Sequence, residues 1–192
     1  MSDPINWDHL AQEIEERHQA GLPAVSALEL IVGEDTIRQA VDYYVAWRPE
    51  RELARSFLRR FRPWSAMQRC YEIYKISIDI DDRRAALNLL GDIADGRVLD
   101  WIDEFLADPD EGIQTWGIGV LDRVLWGGGI RQNEAAMEKA YKLLDVGESH
   151  NNPHVGSTAA YVRAYIVKQE SYWDGYEAYR AGLENPPKET MP

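Results

Sequence analysis

Arg83-Arg84-Ala85-Ala86-Leu87-Asn88-Leu89-Leu90-Gly91-Asp92-Ile93 is the stretch whose reading decides the fold. Its residues Ala86, Leu87, Leu90 and Ile93 recur at a spacing that places them on one face of an α-helix. A shift of 31 residues superposes Gln114, Gly117, Ile118, Leu121 and Val124 on Arg83, Ala86, Leu87, Leu90 and Ile93. A shift of 32 in the other direction places Arg51, Ala54, Leu58 and Phe61 on Arg83, Ala86, Leu90 and Ile93, with Arg55 where Leu87 stands, so this third copy is weaker. Small residues at Ala54, Ala86 and Gly117 let a helix approach its neighbour closely, and the large apolar residues of the following turns fill the layer between them. The expectation is a set of helix pairs stacked on one another.

Outward from this motif, period-3.6 patterning continues toward both ends, and the chain reads as all-α. Alternation of apolar and polar residues is confined to Ile76-Ser77-Ile78-Asp79-Ile80, which reads as a turn. A first helix is expected over 7–20, carrying Leu10 and Ile14 and ended by Gly21. A second starts at Pro23 and stops near Gly33, and a third, capped by Asp35 or Thr36, presents Ile37, Val41, Tyr44 and Val45. Pro49 and Pro63 are placed as helix starts, because a missing N–H costs nothing at the first helical position. Met67, Cys70, Tyr71 and Tyr74 follow, then helices over 83–94, 98–106, 109–126, 133–146 and 157–179. The chain is read as one helical-repeat domain over 1–183, with a repeat core at about 49–126, divergent caps on either side and a flexible tail over 184–192.

With 192 residues the chain fits one domain, and surface scaling lets about 70% of its extended surface be buried. Hydrophobic residues at 45% and charged residues at 28% lie far from the composition of disordered chains. The formal charge of −12 opposes binding to phosphate backbones and to anionic lipid, so neither nucleic acid nor membrane is an expected partner, and a basic protein is attracted. Cys70 is the single cysteine, which excludes an intramolecular disulfide and points to a reducing compartment. The stretch Met1-Ser2-Asp3-Pro4-Ile5-Asn6-Trp7-Asp8 lacks a basic or apolar leader pattern, and a cytoplasmic protein is expected.

The run from Arg83 to Ile93 resembles the second helix of a HEAT-like repeat, and Asp108-Pro109-Asp110-Glu111-Gly112-Ile113-Gln114 resembles the entry into the next. The likeness is to the short, roughly thirty-residue variety of that superfamily and covers 51–126. It implies an α-solenoid, a stack of helical hairpins that binds other macromolecules. Short HEAT-like repeats also occur in bilin lyases, and HEAT-like folds in alkyl-purine DNA glycosylases, but the latter demand a basic groove that a charge of −12 does not supply.

His150 and His154, with Glu148, have the residue types of a zinc site, yet Pro153 and the two asparagines between them favour a helix-capping loop. His9 and His18 lie on a charged helix with no nucleophile nearby in sequence. Cys70 sits among Met67, Tyr71 and Ile73, a core setting. Gly127-Gly128-Gly129 is followed by no lysine and Ser or Thr, so it reads as a helix stop and not as a phosphate loop. The groups Asp79/Asp81/Asp82 and Asp108/Asp110/Glu111 precede helices, where carboxylates cap free N–H groups. No catalytic residue, metal ligand or cofactor is assigned.

Seven tryptophans and ten tyrosines point to interfaces as well as to a core. The expected partner-binding face lies opposite the apolar stripes, with Arg84, Asn88, Asp92 and Asp95 on one helix and Thr115, Gly119, Asp122 and Trp126 on the next. A second aromatic surface is formed by Tyr161, Tyr165, Tyr172, Trp173, Tyr176 and Tyr179. The functional expectation is a non-enzymatic protein-binding α-solenoid, foremost a bacterial immunity or antitoxin-type inhibitor that covers a basic toxin enzyme. A modifying enzyme of the bilin-lyase type and a structural assembly adaptor are the alternatives, and oligomeric state is left open.

Overall fold

The computed structural model describes residues 23–127 and 129–184, and every described element is helical. In chain order these are α1 (Pro23–Val32), α2 (Glu34–Val45), α3 (Arg51–Phe61), α4 (Trp64–Ile76), α5 (Ile80–Ile93), a 3₁₀ segment (Gly96–Trp101), α6 (Ile102–Leu106), α7 (Glu111–Gly127), a short 3₁₀ turn (Ile130–Gln132), α8 (Glu134–Glu148) and α9 (Pro153–Glu184). The helix expected over 7–20, with His9 and His18, lies outside the described residues, as do residues 185–192 of the expected tail. Glu184 still belongs to α9. No helix among the described residues is long and apolar enough to cross a membrane.

Several helix starts follow from local chemistry. The Asp79 carboxylate accepts the Asp81 N–H at 2.9 Å, Asp110 accepts that of Ile113 at 2.9 Å, Asn133 that of Ala136 at 3.1 Å, and Asn152 that of His154 at 3.0 Å. The capping reading of both acidic groups and of the His150 loop therefore holds.

Other boundaries differ from expectation. α2 begins directly at Glu34, because Gly33 at φ 87° turns the chain between α1 and α2 and leaves no room for a cap at Asp35 or Thr36. Pro49 and Pro63 are not first helical residues. Pro63 is extended, one position ahead of α4, and Glu50 in a left-handed conformation separates Pro49 from α3. The first turn of α4 is satisfied from elsewhere: buried Glu29 of α1 accepts from Ser65 N–H at 2.8 Å and from its hydroxyl at 2.7 Å. The helix expected over 98–106 is 3₁₀ for its first half. Asp95 caps the Arg97 N–H at 3.0 Å and grips its guanidinium at 2.6 Å, and the tighter turn aligns Val98 and Trp101.

Consecutive helices pack as pairs, α2 with α3, α4 with α5, α6 with α7 and α8 with α9. Across pairs, α3 packs on α5, α5 on α7 and α7 on α9, while α2 packs on α4. The α5–α7 contact is the most extensive, and it is the one the internal repeat anticipates. Ala86, Leu87, Leu90 and Ile93 are buried on α5, and Gly117, Ile118, Leu121 and Val124 on α7. The weak third copy buries only Leu58. A Cβ on Gly117 would lie 2.7 Å from Phe105 Cβ, so this glycine sets how closely α6 and α7 approach. Stacked rings join α4 to the next pair: Tyr71 lies 4.4 Å from Trp101, and Tyr74 meets Phe105 edge-on at 4.9 Å.

Candidate interaction surface

Two clefts lie on either side of the place where the C-terminal end of α2 meets α5, the first completed by α4 and the second by α3 and α7. The first, of about 410 Å³, is lined by Asp42, Val45 and Ala46 on one side and by Arg69, Ile73, Ile76, Ser77, Ile78 and Asp82 on the other. The second, of about 300 Å³, is lined by Tyr44, Trp47, Arg51 and Arg55, and across from them by Asp81, Arg84, Ala85, Asn88 and Trp116. Neighbours in sequence are thus divided between the two: Val45 and Ala46 face one and Tyr44 and Trp47 the other, while Asp82 faces the first and Asp81 the second.

The rims are apolar and exposed. Ile78 is fully exposed, Ile76 is 71% exposed, Trp47 63% and Trp116 39%. Exposed large apolar side chains that adjoin in one patch mark interaction sites. The loop joining α2 to α3, which carries Trp47, stores strain, since Trp47 and Glu50 are non-glycine residues at φ 53° and 61°. Each such conformation costs on the order of 1 kcal/mol and recurs at functional sites. The loop is braced by the Tyr43 hydroxyl, which donates to the Pro49 carbonyl, and by Arg51, whose guanidinium lies 3.4 Å from the Trp47 ring centroid and 5.2 Å from that of Tyr44.

Within the second cleft, Arg55 pairs with Asp92 at 2.5 Å, and Arg84 grips Asp110 through two bonds of 3.0 and 2.6 Å. The Arg84 bonds hold the Asp110 carboxyl below the usual carboxylate range. The Tyr44 hydroxyl donates to Asn88 Oδ1 at 2.7 Å, and burial pushes its phenol upward. In the first cleft Asp42 accepts from Arg69 at 2.7 Å.

Of the residues named from sequence, Arg84 and Asn88 line the second cleft. Asp92 lies beside it in its pair with Arg55, while Asp95 is engaged by Arg97 at the start of the 3₁₀ segment. Thr115 donates to the Glu111 carbonyl of its own helix at 2.8 Å, and Trp116 takes the place in the cleft. Asp122 and Trp126 lie toward the other end of α7, where the Trp126 ring packs 4.1 Å from that of Tyr165 on α9. Gly119 has open space around it. The side chains of Tyr172, Trp173, Tyr176 and Tyr179 lie outside the described residues. The structure thus places Arg84 and Asn88 in the second cleft with Asp92 beside it, whereas Asp95, Asp122 and Trp126 are not among its lining residues.

Groups with chemical potential elsewhere have structural partners. Cys70 is wholly buried and its thiol pKa is pushed upward by burial, which suppresses the thiolate. His150 Nδ1 accepts the Asn152 N–H at 3.0 Å and Nε2 lies 3.0 Å from the Leu106 carbonyl, so both ring nitrogens are engaged by backbone. Buried Asp108 receives the Tyr74 hydroxyl at 3.1 Å, the Asp110 N–H at 3.0 Å and the Arg83 guanidinium. Among the described residues no group of three or more His, Cys, Asp or Glu side chains is arranged to hold a metal ion.

Trp47, Trp116, Ile76 and Ile78 were not singled out from the sequence, although a signal exists. Trp116 lies at the edge of its helix's buried stripe, opposite Ile118 and Leu125, and Trp47 falls beyond the end of the Ile37, Val41, Tyr44 stripe. A large apolar residue at the edge of its helix stripe or beyond its end is placed to face another element. No family model, curated protein or solved structure matches the chain.

Proposed function

We propose that this chain is a non-catalytic binding protein, a HEAT-like stack of helical hairpins that docks a basic protein partner on the paired clefts at the α2–α5 edge. The order in which the helix pairs pack supports the solenoid reading. The observation that carries the functional reading is the exposure of Ile76 and Ile78 in the first cleft, beside Asp82, and of Trp47 and Trp116 in the second, beside Asp81. Aromatic and aliphatic anchors supply residence time, while the net charge of −12 steers a basic partner and sets its orientation. Within this class the immunity or antitoxin type is favoured, because a small acidic chain of this kind inhibits by covering the active site of a basic enzyme.

The test is capture of partners from the native host by the tagged chain, followed by reconstitution with the purified partner and measurement of its activity. One basic enzyme bound one to one and inhibited is the expected result, with Ile78→Asp and Trp116→Ala each weakening binding by about tenfold or more. A client bound but left fully active assigns an adaptor role instead. Equal binding by wild type and by both variants overturns the assignment of the clefts.

A further inference from the structure

The second cleft contains a feature that docking of a basic protein does not use. Arg51 lines this cleft, and its Nη1 is buried without a hydrogen-bond partner. Its closest carboxylate contact is Nε to Glu52 at 3.7 Å, beyond hydrogen-bonding range. The other two arginines are better matched, Arg55 by Asp92 and Glu52 and Arg84 by Asp110 and Asp81. Buried donors in folded proteins are almost always satisfied, and an unsatisfied one in a cleft calls for an acceptor from outside.

We propose that the second cleft is a carboxylate site, taking a monoanion carried on an aromatic group, with Arg51 as its anchor. Three observations select this chemistry. The guanidinium is a planar fork that matches two carboxylate oxygens. The four nearby carboxylates Glu52, Asp81, Asp92 and Asp110 outnumber the three arginines of the cleft and disfavour a dianion such as a phosphate monoester, so a monoanion is held by the unmatched Arg51 alone. The exposed rings of Trp47 and Trp116 offer stacking surface for an aromatic group, and about 300 Å³ holds one ring with its carboxylate. The Trp47 indole lies 3.4 Å over the guanidinium from a backbone at φ 53°, which makes its N–H the reporter nearest to an acceptor at Nη1. The carboxylate arrives either as a free aromatic acid or as the terminus of a polypeptide.

The test is titration of the full chain, nitrogen-15 labelled, with benzoate, benzamide, benzamidine and N-acetylphenylalanine, read at the tryptophan indole N–H signals. Benzoate is expected to shift Trp47 and Trp116, to bind about tenfold more tightly than uncharged benzamide, and to lose about tenfold in Arg51→Met. Trp116→Ala, which leaves Arg51 in place, weakens benzoate and benzamide alike and serves should Arg51→Met fail to fold. Tighter binding of N-acetylphenylalanine than of benzoate assigns the polypeptide source, and the reverse assigns the free acid. Benzamidine binding as tightly as benzoate, or no shift at either indole through the millimolar range, overturns the proposal. This titration needs no partner protein, so its failure leaves the binding-protein reading standing, and failure of the protein capture leaves the titration intact.

Discussion

Arg62 Nη1 donates to the Gly127 carbonyl at 2.6 Å, joining residues 65 positions apart, and the same guanidinium reaches the carbonyls of Ile93 at 3.2 Å and of Ala94. The C-terminal ends of α3, α5 and α7 thus converge on one cation, which meets carbonyls at the negative ends of two helix dipoles. Burial pushes the Arg62 pKa downward, with the nearby Arg123 charge adding to it. Arg123 completes the arrangement by donating to the Asp92 carbonyl at 3.1 Å.

Replacing Arg62 by Met keeps the stem and removes the fork, leaving those carbonyls without their donor. The expected loss is about 2 kcal/mol, read as a lowered urea midpoint at unchanged slope. Arg62→Lys, which keeps charge but cannot reach three carbonyls at once, is expected to fall between the two. An unchanged midpoint in Arg62→Met would show that the three helix ends are held by apolar packing alone.

Glycines in helices separate by what surrounds them. Gly117→Ala forces a methyl against Phe105 Cβ and is expected to destabilise by about 1–3 kcal/mol. Gly91 and Gly119 have nothing within 4 Å of a built Cβ, so Ala at either should stabilise by about 0.5–1 kcal/mol. Thermal melts of the three single variants check the opposite signs.

At alkaline pH the tyrosines of α4 set the limit. Tyr71 is pushed up to about 12, first by its hydrogen bond to Glu104 at 2.6 Å and then by burial, and Tyr74 is raised chiefly by burial. A folded-state value above the ordinary 10.0 means that this stabilisation is complete below pH 10 and is lost as pH rises through about 12. Tyr71→Phe removes the phenol, and the melting temperature should then fall less steeply between pH 10 and 12. Parallel curves for the variant and the wild type would exclude this linkage.

Asp122 has the opposite economy at neutral pH. Burial raises its carboxyl pKa above the ordinary 3.8, only partly offset by a hydrogen bond from Trp126 and the charge of Arg123, and its Oδ1 is buried without a partner. Stability from the protonated form is complete below about pH 3.8 and is lost as pH rises through the shifted value. Asp122→Asn should therefore stabilise the protein at neutral pH, with a gain that shrinks on acidification. Urea midpoints of both chains at neutral pH and near pH 3.8 decide it, and a gain independent of pH would refute the assignment.

The helical class, the order of most elements, the α5–α7 repeat and the capping carboxylates were legible because each depends on residues within one or two turns. Asp79, Asp110, Asn133 and Asn152 cap the helices beside them, and the apolar stripes declare which face is buried. The site was half legible. Arg84 and Asn88 fall in the cleft, yet Thr115 was named where Trp116 serves, because one residue is about 100° around a helix and only the neighbour decides which side faces a gap. The ion pair of Asp92 was not legible, since Arg55 joins it from 37 positions away.

By itself, then, the sequence determined the helical class, most of the buried faces and the caps at Asp79 and Asp110, all of which rest on backbone periodicity and short-range hydrogen bonds. Only the tertiary structure decided that Glu29 would cap α4, that Arg62 would gather three helix ends, and that α2 and α5 would meet to open two clefts with Trp47 strained above one of them. Those outcomes depend on crossing angles and offsets between elements, which polar side chains can satisfy in many pairings and which packing of the whole core resolves to one.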